Sequence, residues 1–191
     1  MEDAELVERV RAGDTRAFHD LVVKYQDRVF NACWRVCGHL EDARDLTQDA
    51  FLKAFEGLAS FRYESGFFTW LFRIAVNLSL SHRRSSARRR VQSLDGVEGA
   101  DGQATGLLRL IQSDAADETT RGANKAEQHA AALRALGTLD DDHRAVVVLR
   151  DMEGLDYQQI AEILEVPPGT VKSRLHRARQ AIEKALGDEA V

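Results

Sequence analysis

The chain holds only two prolines, and they are adjacent, Pro167 and Pro168. Proline removes a backbone donor and breaks helix interiors, so a sequence that lacks it everywhere else is free to run in long helices. The apolar residues use that freedom. Phe18, Leu21, Val22, Tyr25, Val29, Ala32, Cys33 and Val36 recur at spacings of three and four, which puts them on one side of a helix over 15–37. The same period returns over 4–12, over 41–58, from Thr69 into the arginines at 83, 84, 88, 89 and 90, and over 126–136, 141–152 and 156–186. Gly13-Asp14, Gly38 and Gly57 punctuate the first of these stretches. No convincing run alternates with the period of two that a half-buried strand needs, so the expected fold class is all-α.

The periodicity lapses once. From Ser93 to Ala123 there are five glycines and six acids against two basic residues, Arg109 and Arg121. A segment so acidic and glycine-rich lacks the apolar content to fold alone and reads as a flexible linker, with a short apolar run at 107–111. The expected organisation is therefore a helical module over 1–90, a linker over 91–125 and a second helical module over 126–187.

In the second module Asp156 is placed to cap a helix, with Gln159 completing a capping box and Ile160, Ala161, Ile163 and Leu164 forming its apolar face. Glu165 to Pro168 stop that helix and Gly169-Thr170 start another. On the latter Val171, Leu175, Ala178 and Ile182 make one stripe, which throws Lys172, Ser173, His176, Arg177 and Gln180 to the opposite side. Helix, tight turn and helix with a cationic outer face is the helix-turn-helix arrangement, whose second helix enters the DNA major groove. The chain nonetheless carries a formal net charge of −5, so its cations are concentrated while its acids lie elsewhere.

Some of those acids line the helix over 41–58. There Leu46, Ala50, Phe51, Ala54, Phe55 and Leu58 share an apolar face, and Asp42, Asp45, Asp49, Lys53 and Glu56 share a polar one that is either solvated or a protein-docking surface. The helix from Thr69 buries Trp70, Leu71, Ile74, Ala75 and Leu78 and aligns Arg73, Asn77 and Arg84 on another side. Asparagine is a poor helix-interior residue unless its amide has a task, and an amide beside arginines suits base edges. The preceding aromatics and Gly66 either stack unpaired bases beside this basic helix or, in the case of Phe61, Phe67 and Phe68, close the core.

Several classes are set aside. No stretch approaches the roughly 20 apolar residues of a membrane span, and the acidic start is unlike a secretory leader, so a cytoplasmic location without membrane insertion is expected. Cys33 and Cys37 read as core residues, with His39 nearby keeping a metal or redox role as the minor alternative. No metal site, cofactor, phosphate loop or nucleophile-base pair is expected, and the chain is not read as an enzyme.

The stretches DLVVKYQDRVFNAC, DARDLTQDAFLKAF, FRYESGFFTWLFRIAVN and LDYQQIAEILEVPPGTVKSRLHRARQAI, in that order around an acidic linker, closely resemble bacterial extracytoplasmic-function sigma factors, the minimal two-domain initiation subunits of RNA polymerase. The resemblance implies that Asp42, Asp45, Leu46, Gln48, Asp49 and Lys53 dock on core RNA polymerase. It implies that Arg62, Tyr63, Glu64, Ser65, Gly66, Trp70, Arg73, Asn77, Arg83 and Arg84 melt and read the −10 promoter element on the non-template single strand. It also implies that Thr170, Lys172, Ser173, Arg174, His176 and Arg177, supported by Arg150, read the −35 element as duplex. Relatives are often held inactive by an anti-sigma partner wedged between the modules. A helix-turn-helix regulator acting on duplex DNA alone and a protein-sequestering adaptor are the alternatives.

Overall fold

The computed structural model describes residues 2–93 and 131–188, and every regular element among them is helical. Helices α1 (Asp3–Arg11), α2 (Thr15–Cys37) and α3 (Leu40–Gly57) are followed by a 3₁₀ turn (Leu58–Ser60) and the long α4 (Phe67–Ser93). After α5 (131–138), α6 (Asp141–Val147) runs on as a π-helical turn (Val148–Met152), and α7 (Tyr157–Leu164) and α8 (Pro168–Asp188) complete the order. The expected linker falls outside the described residues from position 94 onward, as do the run at 107–111 and positions 126–130.

Local chemistry fixes the helix ends. The Asp14 carboxylate accepts from the Arg16 backbone N–H at 3.1 Å, and Gly38, at φ +84°, terminates α2 in the left-handed region. Asp140 accepts from His143 N–H at 2.9 Å to start α6. The capping box expected for α7 is present in full: Asp156 accepts from the Gln158 and Gln159 N–H groups, and its own N–H reaches Gln159 Oε1 at 3.0 Å. Helix α4 begins two residues before Thr69, because Gly66 accepts from Trp70 N–H and so closes the first turn.

The two halves share one contiguous buried cluster. Helix α2 packs against α1, α3 and α4, while α4 lies also against α6 and α7. The sequence of α4 explains this double role. Leu71, Phe72, Ala75 and Val76 are buried, and Trp70, Ile74 and Leu78 are half-buried around a second side, so two faces require cover. Among the described residues no helix is long and apolar enough to cross a membrane.

Cys33 and Cys37 are both buried thiols. Burial pushes both upward from the usual cysteine range, Cys37 to about 11, and Cys37 S–H donates to the His39 carbonyl at 3.2 Å. Both are therefore protonated at neutral pH, the state of inert core cysteines. Among the described residues no group of three or more potential metal-ligating side chains converges.

The turn between α7 and α8 carries strain. Glu165 ends α7 at φ +54°, a conformation that glycine adopts without the Cβ penalty. Glu165→Gly is expected to raise stability by about 0.5–1 kcal/mol in urea unfolding, because the relieved strain exceeds the unfolded-state entropy that glycine adds.

Candidate nucleic-acid interface

Helix α8 carries the clearest surface. Val171, Leu175 and Ala178 are buried and Ile182 packs against the core, so the expected stripe anchors the helix. Lys172, Ser173, His176 and Arg177 are exposed on the opposite side, with Ser173 Oγ donating to the Thr170 carbonyl at 3.0 Å. Thr170 itself is half-buried in the first turn, where its N–H reaches the Pro167 carbonyl at 2.8 Å. Arg174 differs from its neighbours: it turns back to Asp142 at 2.6 Å. Arg179 is exposed and is held by both oxygens of Asp151. Arg150 precedes α7 and is half-buried. Its guanidinium donates to the Leu155 carbonyl at 2.6 Å and lies 5.0 Å over the Tyr157 ring, so it stiffens the approach to α7.

The loop at 62–66 borders a cleft of 460 Å³ lined by Arg62, Glu64, Ser65, Trp70, Arg73 and, from α7, Glu162. Tyr63 does not line it. At φ +57° its ring lies away from the cleft, tilted against Phe61 at 4.7 Å, with its hydroxyl donating to Glu8 Oε1 at 2.7 Å and the Arg11 guanidinium 5.1 Å over its face. That hydrogen bond holds the Glu8 carboxyl below its usual range, while burial pushes the Tyr63 phenol up. Arg11 also donates to the Leu58 and Phe61 carbonyls, so α1 fastens the loop from below. Sequence reasoning placed a helix over 4–12 but gave it no part in this loop, which Glu8 and Arg11 supply. Phe61 and Phe67 are buried and Phe68 half-buried, so all three rings pack in the core, and Phe61 also borders the cleft. Gly66 is exposed, with no neighbour near the position a Cβ would take.

Along α4, Asn77 is exposed and Arg73 half-buried. Arg83 instead pairs with Asp141 and donates to the Val36 and Cys37 carbonyls at 3.4 and 3.5 Å. Arg84 reaches Asp142 at 3.4 Å. On α3, Asp45, Gln48, Asp49 and Lys53 project into solvent as one polar stripe, and Asp42 accepts from His82 at 3.0 Å. Leu46, at 6% exposure, lies on the buried side of α3 beneath that stripe. Phe55, expected on the buried face, is exposed, edge-on to Phe18 at 4.9 Å, and Leu52 beside it is exposed too.

Two family models match the chain, "Sigma-70 region 2" over residues 21–89 and "Sigma-70, region 4" over residues 129–182. The RNA polymerase sigma-H factor of Pseudomonas aeruginosa is 39% identical over 186 residues, covering 97% of this chain and 94% of that protein. The ECF RNA polymerase sigma-E factor of Escherichia coli K12 is 39% identical over 185 residues, covering 96% and 94%. Among solved structures, the sigma factor RpoE of Bartonella quintana, in complex with the anti-sigma factor NepR, has a similar fold: TM-score 0.65 and 23% identity over 89% of this chain and 96% of that one.

One contact behind the cleft is tight enough to test. A Cβ at Gly57 would stand 3.2 Å from Trp70 Cζ2, and Trp70 has the cleft to move into. Gly57→Ala is expected to change tryptophan emission while shifting unfolding free energy by no more than about 1 kcal/mol, since the crowded ring has space to yield.

Proposed function

Because this chain belongs to the extracytoplasmic-function branch of the sigma-70 family, whose members direct RNA polymerase to promoters, we propose a specific division of labour among its surfaces. Residues 1–90 dock on core polymerase and open the −10 element, 91–125 connect the modules within the polymerase, and 126–187 read the −35 element. The chain works in the cytoplasm. It is no catalyst itself: polymerase performs the nucleotidyl transfer, and this subunit supplies the address and the strand opening.

The observation that carries the reading is the exposed set Lys172, Ser173, His176 and Arg177 standing over a fully anchored stripe. An α-helix presented this way fits the major groove, where lysine and arginine reach guanine acceptors and a small serine permits close approach. Thr170 in the first turn takes the phosphate backbone. Arg174 joins them when its carboxylate partner is exchanged for a phosphate. On the other surface, Arg62, Glu64, Ser65, Trp70 and Arg73 frame a cleft of the size for a flipped base, with Tyr63 and Gly66 shaping the loop and Asn77, Arg83 and Arg84 following the strand along α4. The stripe of Asp42, Asp45, Gln48, Asp49 and Lys53 meets the polymerase, and the exposed Leu52 and Phe55 add apolar area. The Bartonella relative is bound by an anti-sigma factor, and a partner of that kind is proposed for this chain.

Transcription from promoters with a randomised upstream element, using core polymerase and this chain, tests the assignment. Arg177→Ala is expected to cost about 1–3 kcal/mol in a sequence-dependent way. Arg179→Ala, whose arginine is already paired with Asp151, should leave the preferred sequence unaltered. The reverse outcome would remove α8 from the groove. Charge reversal of Asp45 and Asp49 together should weaken core binding in a titration while circular dichroism is unchanged; unaltered affinity would make the stripe a merely solvated face.

A further inference from the structure

A cavity of 70 Å³ sits where the end of α2 meets α4, α5 and α6, and its wall carries Arg35, Arg83 and Arg144. No carboxylate is among its lining residues. Cys37 and His39 line it too, but the buried thiol is protonated and an imidazole is never an anion, so neither supplies negative charge. Like charges gathered around so small a space raise one another's energy unless an anion stands among them.

The ion pairs of these arginines meet that need only in part. Glu153, whose side chain is only 5% exposed, receives Arg35 at 3.3 Å but divides itself with Arg28 at 3.2 Å. Arg28 also donates to the Glu153 carbonyl at 3.1 Å. Asp141 is taken by Arg83. Arg144, 4% exposed, donates to neutral acceptors, the carbonyls of Leu136, Gly137, Leu139 and, at 3.3 Å, Val36. A buried cation held by carbonyls alone keeps much of its desolvation cost. Burial first, and then the Arg83 charge, lower the Arg144 pKa to about 10, the mark of surroundings that lack a counter-ion. A second deficit stands beside it: Arg35 Nε is buried and has no hydrogen-bond acceptor.

We propose that this cavity is a binding site for a tetrahedral oxyanion, either inorganic phosphate or the terminal phosphate of a small monoester, held by Arg35, Arg83 and Arg144. Since one water needs about 10–15 Å³ of such space, the cavity takes an ion of that size and leaves no room for a nucleoside. Guanidiniums present paired donors that match phosphate oxygens, and an anion among them gives Arg144 its counter-charge and Arg35 Nε its acceptor. The three arginines stand on α2, α4 and α6, so the bound ion ties three helices at one corner and, by mass action, stabilises the folded chain. The site is separate from the surfaces assigned above to DNA and polymerase, Arg83 being the one residue in common.

Isothermal titration calorimetry of the full-length chain with inorganic phosphate, at neutral pH and constant ionic strength, tests it on wild type, Arg35→Gln, Arg144→Gln and Arg16→Gln. Arg16 is exposed near the start of the same helix as Arg35, and its replacement makes the same change of net charge. The expected result is saturable binding in wild type and Arg16→Gln, weakened at least about tenfold in Arg35→Gln and Arg144→Gln, each of which loses charge-assisted hydrogen bonds. A parallel titration with glycerol phosphate separates the two sources: tighter binding than inorganic phosphate assigns the site to a phosphorylated metabolite, weaker binding to the free ion. Absence of saturable binding of either ligand to wild type would overturn the proposal. So would equal affinities for Arg35→Gln and Arg16→Gln, because net charge alone would then account for the attraction. Should Arg144→Gln lose helicity by circular dichroism, the comparison of Arg35→Gln with Arg16→Gln decides by itself.

Discussion

The last turn of α2 is where the molecule is tied together. Helix C-termini leave carbonyls without intrahelical partners and carry partial negative charge. Here two guanidiniums answer that need, Arg83 from α4 at the Val36 and Cys37 carbonyls and Arg144 from α6 at the Val36 carbonyl. Arg144 also donates to the carbonyls of Leu136, Gly137 and Leu139, so a single buried cation closes the α5–α6 turn and reaches across to the other half. Burial, with Arg83 nearby, lowers its pKa to about 10, which leaves it charged at neutral pH and committed to these oxygens. Gly38 permits this approach. A Cβ there would make only ordinary contact with the two guanidiniums, so it is the φ of +84°, turning the chain toward α3, that calls for glycine.

Around that tie, α4 acts as a shared wall. A continuous series of ring contacts runs from Tyr63 through Phe61 and Phe67 to Tyr25, then Phe68 and Phe72, where the Arg28 guanidinium covers the last rings. The loop beside the cleft and the arginine that grips Glu153 therefore rest on one aromatic layer. Tilted and edge-on rings of this kind add directional packing to the area they bury, so the layer resists small displacements.

What the sequence disclosed was much of what is decided within one or two helical turns, though not the π-helical turn at Val148–Met152. Asp14, Asp156 and Gln159 cap as their residue types dictate, and the stripe of Val171, Leu175 and Ala178 is anchored because the helical period admits one buried side. Long-range pairing was not legible. Arg83 and Asp141 are 58 positions apart, and nothing local distinguishes an arginine destined for a carboxylate from one destined for phosphate. Leu46 and Phe55 show a second limit: the apolar face of α3 is wider than its neighbours cover, and only the packing reveals that Leu46 is inside while Phe55 stays out. The second apolar side of α4 was read as part of one core face, although Trp70, Ile74 and Leu78 already announced it.

The π-helical turn at Val148–Met152 has a bearing on how such a chain changes over time. Its wide bond, from Glu153 N–H to the Val148 carbonyl at 3.0 Å, accommodates one more residue than an α-helical turn would. Deleting a single residue there would restore regular winding and rotate everything beyond it by about 100° relative to α6. Glu153 would swing away from Arg28 and Arg35, which it pairs with at 3.2 and 3.3 Å, without substitution of any of the three. The grip between the two halves is thus encoded partly as a length, and a lineage could gain or discard it through one codon's insertion or loss while the exposed faces of α3 and α8 are inherited intact.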